Sequence, residues 1–188
     1  MGACKLRKSH LDSRGNRIDG WGINEKRANE PYIPPLGWIG IGLKVLGQYD
    51  GGDDKWIGMN NSEGEWCVAY HGLGRWNTSD EVKKIIRLIY KGEFKQGPNQ
   101  ALKNYDDKFH PGKKVGTGVY CTPNIQTAEK YAGISIINGK RYKTALMVRV
   151  KKDARRGCTD SFYDEYWFVN GTKDEIRPYR ILYKNINN

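Results

Sequence analysis

Three separated segments carry side chains that could do chemistry together: a His-Gly pair, two tyrosines, and a glutamate ahead of an aromatic run. The residues are His71, Gly72, Tyr120, Tyr131 and Glu165. A glutamate can stabilise developing positive charge or accept a proton, and tyrosine rings offer flat faces to a cationic ring. A glycine lets another group approach the backbone closely. Each residue alone is more often structural, so the interpretation depends on their order and spacing.

That order and spacing resemble the catalytic core of the poly(ADP-ribose) polymerase class of ADP-ribosyltransferases. The class has a His-Gly motif on its first core strand, and a Gly-x-Tyr strand followed eleven residues later by a second tyrosine on a helix. A glutamate opens one of its late strands. His71-Gly72, Tyr120, Tyr131 and Glu165 fall in the same order, with the same offset between the tyrosines. The resemblance covers roughly residues 66–184.

The flanking residues agree with this resemblance. Ile86–Gly92 followed by Phe94 resembles the helix and the entry to the donor loop, and Tyr163–Trp167 resembles the aromatic-x-Glu-Tyr pattern around the glutamate of the class. Tyr163 stands where the arginine-modifying, toxin-like class has Gln or Glu, and that class also begins from Arg rather than His. The chain is therefore similar to the His-Tyr-Glu class.

The resemblance implies that NAD⁺ is the co-substrate and that no metal is needed. Tyr120 and Tyr131 would hold the nicotinamide ring, and the Gly72 backbone would bind its carboxamide. His71, with Tyr120, would contact ribose hydroxyls. Glu165 would accept a hydrogen bond from the nicotinamide-ribose 2′-OH, stabilise the oxocarbenium-like state and orient the acceptor. Glu165 rather than Glu175 is predicted to be the catalytic carboxylate, because Glu175 belongs to a polar turn.

One departure from the pattern leaves alternatives open. Ala128 stands where many members have a serine that binds the nicotinamide carboxamide, so that contact is lost or passes to Thr127. The leading hypothesis is transfer of single ADP-ribose units to a protein. The alternatives are transfer to nucleic acid, and a degenerate module that binds NAD⁺ or ADP-ribose without chemistry. The sequence leaves the target, the acceptor atom and the oligomeric state open.

Short apolar runs between turn signals are the elements that must position these residues. The predicted strands are Trp38–Leu46, Trp66–Tyr70, Gly118–Cys121, Thr144–Val150, Tyr166–Val169 and Tyr179–Tyr183. The predicted helices are Asp80–Lys91 and Thr122–Ala132, the latter capped by Thr122. Because helical crossovers do not separate the strands regularly, we expect an α+β domain with a split, mostly antiparallel sheet core and peripheral helices. The polar stretch 92–118 is long enough to cover a site.

The 188 residues suit one domain, with residues 1–35 as a flexible or loosely packed lead-in and 36–188 as the catalytic domain. There is no apolar stretch long enough to span a membrane and no secretory leader, and the cysteines are scattered, so an intracellular protein with free thiols is expected. The net charge of +11 is concentrated in segments 83–116 and 140–156. It favours a solvated basic face or an anionic partner such as nucleic acid.

Overall fold

Among the described residues, the larger of the two main antiparallel sheets is built around the last strand. The computed structural model describes residues 7–18, 25–74, 88, 91, 94–97 and 100–187. The strands of the larger sheet are β1 (Arg17–Ile18), β4 (Ile39–Gly42), β5 (Cys67–Gly72), β7 (Ile134–Ile137), β8 (Lys140–Val150) and β11 (Ile176–Asn185). Their order is β1-β4-β11-β8-β5, and β7 pairs with β8.

A second sheet stands beside β5. It consists of β6 (Val119–Cys121), β10 (Glu165–Val169) and β9 (Arg156–Thr159), in the order β6-β10-β9. A short hairpin pairs β2 (Lys26–Arg27) with β3 (Glu30–Pro31). A bridge in which Tyr70 and Thr122 exchange backbone hydrogen bonds connects the two sheets. The candidate residues of β5, β6 and β10 therefore lie on neighbouring strands.

The helix α1 (Ile125–Tyr131) follows β6 directly and packs on β5. Asn124 is its N-cap, and the Asn124 side chain accepts a hydrogen bond from the backbone of Gln126 at 2.9 Å. The prediction of Thr122 as the cap is wrong, because the helix begins at Ile125 and Thr122 lies two residues before the N-cap. Of the predicted helix Asp80–Lys91, Leu88 and Lys91 are helical and the rest lies outside the described residues.

The core fills both faces of the larger sheet. Strand β8 alternates between them: Leu146 and Val148 pack with Cys121 and Trp167 of the second sheet, whereas Met147 packs on the opposite face. Residues 144–150 of this strand are buried, and residues 145–148 form an uninterrupted apolar run within them, which is why it was predictable as a strand. The arrangement confirms the prediction of an α+β protein with mostly antiparallel sheets.

The lead-in 1–35 contributes to the domain where it is described. Strand β1 pairs with β4, and Tyr32 is buried on the face of the sheet that carries α1. Glu30 reaches the buried guanidinium of Arg155 at 2.8 Å. Within the described part of the chain, no helix is long and apolar enough to cross a membrane.

Candidate active site

A cleft of about 370 Å³ opens between α1, the end of β5 and strand β6, with the segment around Gln100 as its far wall. Four of the five predicted site residues line it: His71, Gly72, Tyr120 and Tyr131. Further lining residues were not predicted as site residues: Lys95, Gln100, Leu102, Asp160 and Tyr166. Glu165 does not line the cleft.

His71 connects β5 to β6 through its ring. Its Nδ1 lies 2.7 Å from the carbonyl oxygen of Tyr120. Because a carbonyl can only accept, Nδ1 carries the proton and donates, which leaves Nε2 as an acceptor in the neutral ring. Burial lowers the pKa of His71 below its ordinary value, and the hydrogen bond to Tyr120 opposes this only in part. The imidazole is therefore neutral at physiological pH and can accept a hydrogen bond from a ligand hydroxyl.

Gly72 is required by the packing of α1. A Cβ at this position would lie 2.5 Å from the carbonyl oxygen of Ala128 and 3.0 Å from Cβ of Tyr131. Helix packing thus explains the glycine without a ligand. The same close approach brings the C-terminal end of α1 next to the Gly72 backbone. Tyr131, the last residue of this helix, therefore lies at the cleft.

The backbone of Gly72 faces the cleft rather than β8. The Leu73 amide donates to the Thr144 carbonyl, so Gly72, opposite Ala145, belongs to a pair that exchanges no hydrogen bonds with β8. Its N–H and C=O point to the same side as those of Tyr70, which bond Thr122. Among the described residues, neither Gly72 group has a hydrogen-bond partner. One donor and one acceptor are therefore available side by side, as a carboxamide requires.

The two predicted tyrosines differ in their surroundings. Tyr131 is 58% exposed, and its hydroxyl lies 3.0 Å from that of Tyr166. Tyr120 is partly buried, with its ring 4.3 Å from that of Phe168. Burial raises the pKa of Tyr120, while the backbone of Leu102 lowers it to a lesser extent. The exposed ring of Tyr131 is free to stack on a ligand, whereas Tyr120 forms part of the cleft floor.

Glu165 occupies the other face of the second sheet. Tyr120 pairs with Phe168 and Cys121 with Trp167, so alternation points Glu165 away from the Tyr120 ring and to the side of Trp167. The predicted neighbourhood of Glu165 and Trp167 is confirmed, since the indole N–H donates to Oε1 at 2.6 Å. Lys108 forms an ion pair with the same oxygen. Residues on the His71 face of β5 pack in the same core cluster as Trp167, so His71 and Glu165 share this side.

Two predictions about neighbouring residues also have an outcome. Thr127 is buried, and its hydroxyl donates to Asp164 at 2.6 Å, so this hydroxyl is already engaged within the fold. Glu175 lies in the turn before β11 and accepts hydrogen bonds from the backbone and side chain of Asn170. That position keeps Glu175 in a local turn, as the sequence indicated.

Asp160 and Tyr166 are cleft residues that sequence reasoning missed. Asp160 Oδ1 accepts hydrogen bonds from the amides of Phe162 and Asp164, a typical turn-capping arrangement. Tyr166 is next to Glu165 in the chain and faces the opposite way, so strand alternation was the available signal for it. No local pattern distinguishes Asp160 from an ordinary turn aspartate.

Comparisons with known proteins add no family to this geometry: neither protein-family models nor curated proteins match the sequence. Over the described residues, no three His, Cys, Asp or Glu side chains are grouped so that they could hold a metal ion. The described cysteines are buried free thiols, Cys67, Cys121 and Cys158.

The depressed pKa of His71 makes folding stability depend on pH. Between the folded pKa and the ordinary value of about 6.5, the unfolded chain binds more protons than the folded one. The contribution of His71 is therefore fully present above about pH 6.5 and falls as the pH drops through that window. Urea unfolding at several pH values should show the stability gap between the wild type and His71→Asn narrowing on acidification. A gap that stays constant would contradict a buried neutral imidazole.

Proposed function

We propose that the protein is an NAD⁺-dependent ADP-ribosyltransferase that transfers single ADP-ribose units to a protein acceptor. The observation that carries the proposal is the meeting of His71, Gly72, Tyr120 and Tyr131 at one cleft, with both backbone groups of Gly72 directed into it. This meeting of residues that are far apart in the sequence supports a nicotinamide site. The ADP-ribosyltransferase fold itself is part of this proposal.

In the proposed complex, the nicotinamide lies in the cleft with its carboxamide on the Gly72 backbone and its ring against Tyr131. Its ribose extends past His71 toward the side on which Glu165 lies. His71 Nε2 accepts a hydrogen bond from a ribose hydroxyl. A volume of about 370 Å³ accommodates the nicotinamide end of NAD⁺, and the rest of the dinucleotide lies along the open edge.

The proposed reaction exchanges one bond at the anomeric carbon. The bond from the ribose carbon to the nicotinamide nitrogen breaks, and nicotinamide leaves with the electron pair. A nucleophilic atom of the acceptor forms the new bond, and its proton passes to the Glu165 carboxylate or to water. The negative charge of Glu165 stabilises the positive ribose between these events.

A protein acceptor is favoured over nucleic acid by where the positive charges lie. In the basic segment 140–156, Arg149 and Arg155 are buried at 2% and 3% exposure and are bound to internal partners. They are structural and are not available to phosphates. The segment is therefore a weaker nucleic-acid surface than its composition indicates.

Labelled NAD⁺ incubated with the protein and a cell extract tests the proposal. We expect the label to enter material that protease destroys and nuclease does not, with release of nicotinamide. Label in nuclease-sensitive material would favour nucleic acid as the acceptor. NAD⁺ binding without nicotinamide release would favour the degenerate binding module, which the alanine at position 128 motivates.

Tyr131 offers a test of the ligand-binding role. Tyr131→Ala removes an exposed ring, so we expect NAD⁺ affinity to fall by about 0.5–2 kcal/mol while the melting temperature changes little. Tyr131→Phe keeps the ring but loses the contact with the Tyr166 hydroxyl, and it should bind NAD⁺ nearly as well as the wild type. Calorimetric titration with NAD⁺ and a thermal melt measure the two effects. A large loss of stability with normal affinity would indicate a core role instead.

A further inference from the structure

Lys108 forms an ion pair with the candidate catalytic glutamate from a distant part of the chain. Its ammonium contacts Oε1 of Glu165, the oxygen that also accepts the indole N–H of Trp167. The Lys108 and Glu165 side chains are about one-third exposed, at 35% and 34%. Solvent therefore screens the pair only in part, unlike a fully exposed surface ion pair.

The turn that carries Lys108 is fixed to strand β9. The Lys108 amide donates to the Gly157 carbonyl at 2.8 Å, and the Gly157 amide donates to Oδ1 of Asp107 at 3.0 Å. Asp107 is buried, and its second oxygen bonds His110 Nδ1 at 2.6 Å. Because these hydrogen bonds already fix the turn, pairing with Glu165 orders only the side chain of Lys108 and not its backbone.

The ring of Phe109 completes this support. It packs on Gly157, where a Cβ would come within 2.5 Å of it, and the guanidinium of Arg155 lies 4.2 Å from its centre. Arg155 also lies 4.4 Å from the ring centre of Trp167. The two donors to Glu165 are thus held by one packed group of side chains.

Both donors act on one carboxylate oxygen. Among the described residues, Oε2 of Glu165 accepts no hydrogen bond. A carboxylate held by one oxygen has a defined orientation and keeps the other oxygen for a ligand hydroxyl. This is the arrangement that a group acting on a ribose hydroxyl needs, since productive geometry must be held within about 0.5 Å.

We propose that Lys108 is a positioning residue for Glu165, which fixes one carboxylate oxygen so that the other can face the ribose. This role rests on the proposed function. The stretch 92–118 then contributes to the reaction itself through Lys108, besides lining the cleft. The lysine charge also opposes a positive ribose, but it is partly exposed and paired with the carboxylate, so solvent and Glu165 weaken this repulsion.

The test compares Lys108→Met, which removes the charge and keeps the length, with Lys108→Arg, which keeps the donor. Lys114→Met is the matched control, because Lys114 lies on the same stretch in an exposed pair with Asp106. The wild type is assayed first for nicotinamide release. We expect Lys108→Met to lower kcat by about tenfold or more with KM for NAD⁺ within about twofold, and Lys108→Arg to recover part of the loss.

A double variant separates positioning from a structural role. If Lys108 acts through Glu165, Lys108→Met should cost nothing further in the Glu165→Gln background. A lower melting temperature with unchanged kcat, a raised kcat, or additive losses in the double variant would overturn the positioning role and leave the proposed function standing. A wild type that neither binds NAD⁺ nor releases nicotinamide would overturn both.

Discussion

Replacing Glu165 with glutamine is expected to lower the rate of nicotinamide release by roughly 10²–10³, with little change in NAD⁺ affinity. The glutamine keeps the size of the side chain and can still accept the Trp167 indole N–H. It loses the negative charge, which matters most when the ribose carbon becomes positive. Single-turnover measurement of nicotinamide release, together with NAD⁺ titration, separates the rate from the affinity.

Two further carboxylate variants test whether the loss of rate is specific to Glu165. Glu175→Gln should leave the rate nearly unchanged, because Glu175 serves the turn that begins at Asn170. Asp160→Asn is the sharper comparison, since Asp160 lines the cleft and Glu165 does not. If Asp160→Asn abolished the reaction and Glu165→Gln did not, the assignment of Glu165 as the catalytic carboxylate would be wrong. The catalytic carboxylate would then lie in the turn at 160–164.

Replacing Arg149 with methionine is expected to destabilise the fold by about 3–5 kcal/mol, because it leaves a buried carboxylate without its cation. Arg149 is 2% exposed and donates to the carbonyls of Trp66, Ile57 and Gly58. Its ion-pair partner Glu65 is fully buried. Since a domain of this size has only about 5–15 kcal/mol of stability, the variant should unfold at much lower urea concentration.

The matched control is Arg14→Met, at an arginine that is paired with Asp12 and whose side chain is 76% exposed. It should melt close to the wild type. Adding Glu65→Gln to Arg149→Met should recover part of the lost stability, because the remaining side chain is then uncharged. An Arg149→Met protein as stable as the wild type would show that the buried pair contributes only specificity.

Local patterns predicted the parts of the fold that local forces determine. Strand β8 contains an apolar run at 145–148 that is buried on both faces, and Glu165 opens β10 as its aromatic neighbours indicated. Strand β9, Arg156–Thr159, was missed because it contains a glycine and a charged residue and pairs only with β10. Its assignment depends on a partner strand that lies elsewhere in the sequence.

The candidate site likewise has features that the sequence predicts and features that only the fold reveals. The offset between Tyr120 and Tyr131 follows from a short strand that leads into a helix, so it is visible in the sequence and brings both residues to the cleft. The ion pair between Lys108 and Glu165 joins residues that only the folded chain brings together. The sequence contains many lysines, and no local pattern indicates which of them pairs with Glu165. Likewise, Asp160 has the sequence pattern of an ordinary turn residue, so its position on the cleft wall could not be predicted.

The contact between Glu30 and Arg155 extends the influence of the N-terminal segment as far as Glu165. From Glu30 the connection passes through the guanidinium to the ring of Trp167, whose N–H holds the Glu165 carboxylate. A protein trimmed to begin at Leu36 would leave the buried guanidinium without that carboxylate. We expect such a trimmed protein to hold Glu165 less firmly, although every described residue that contacts Glu165 remains.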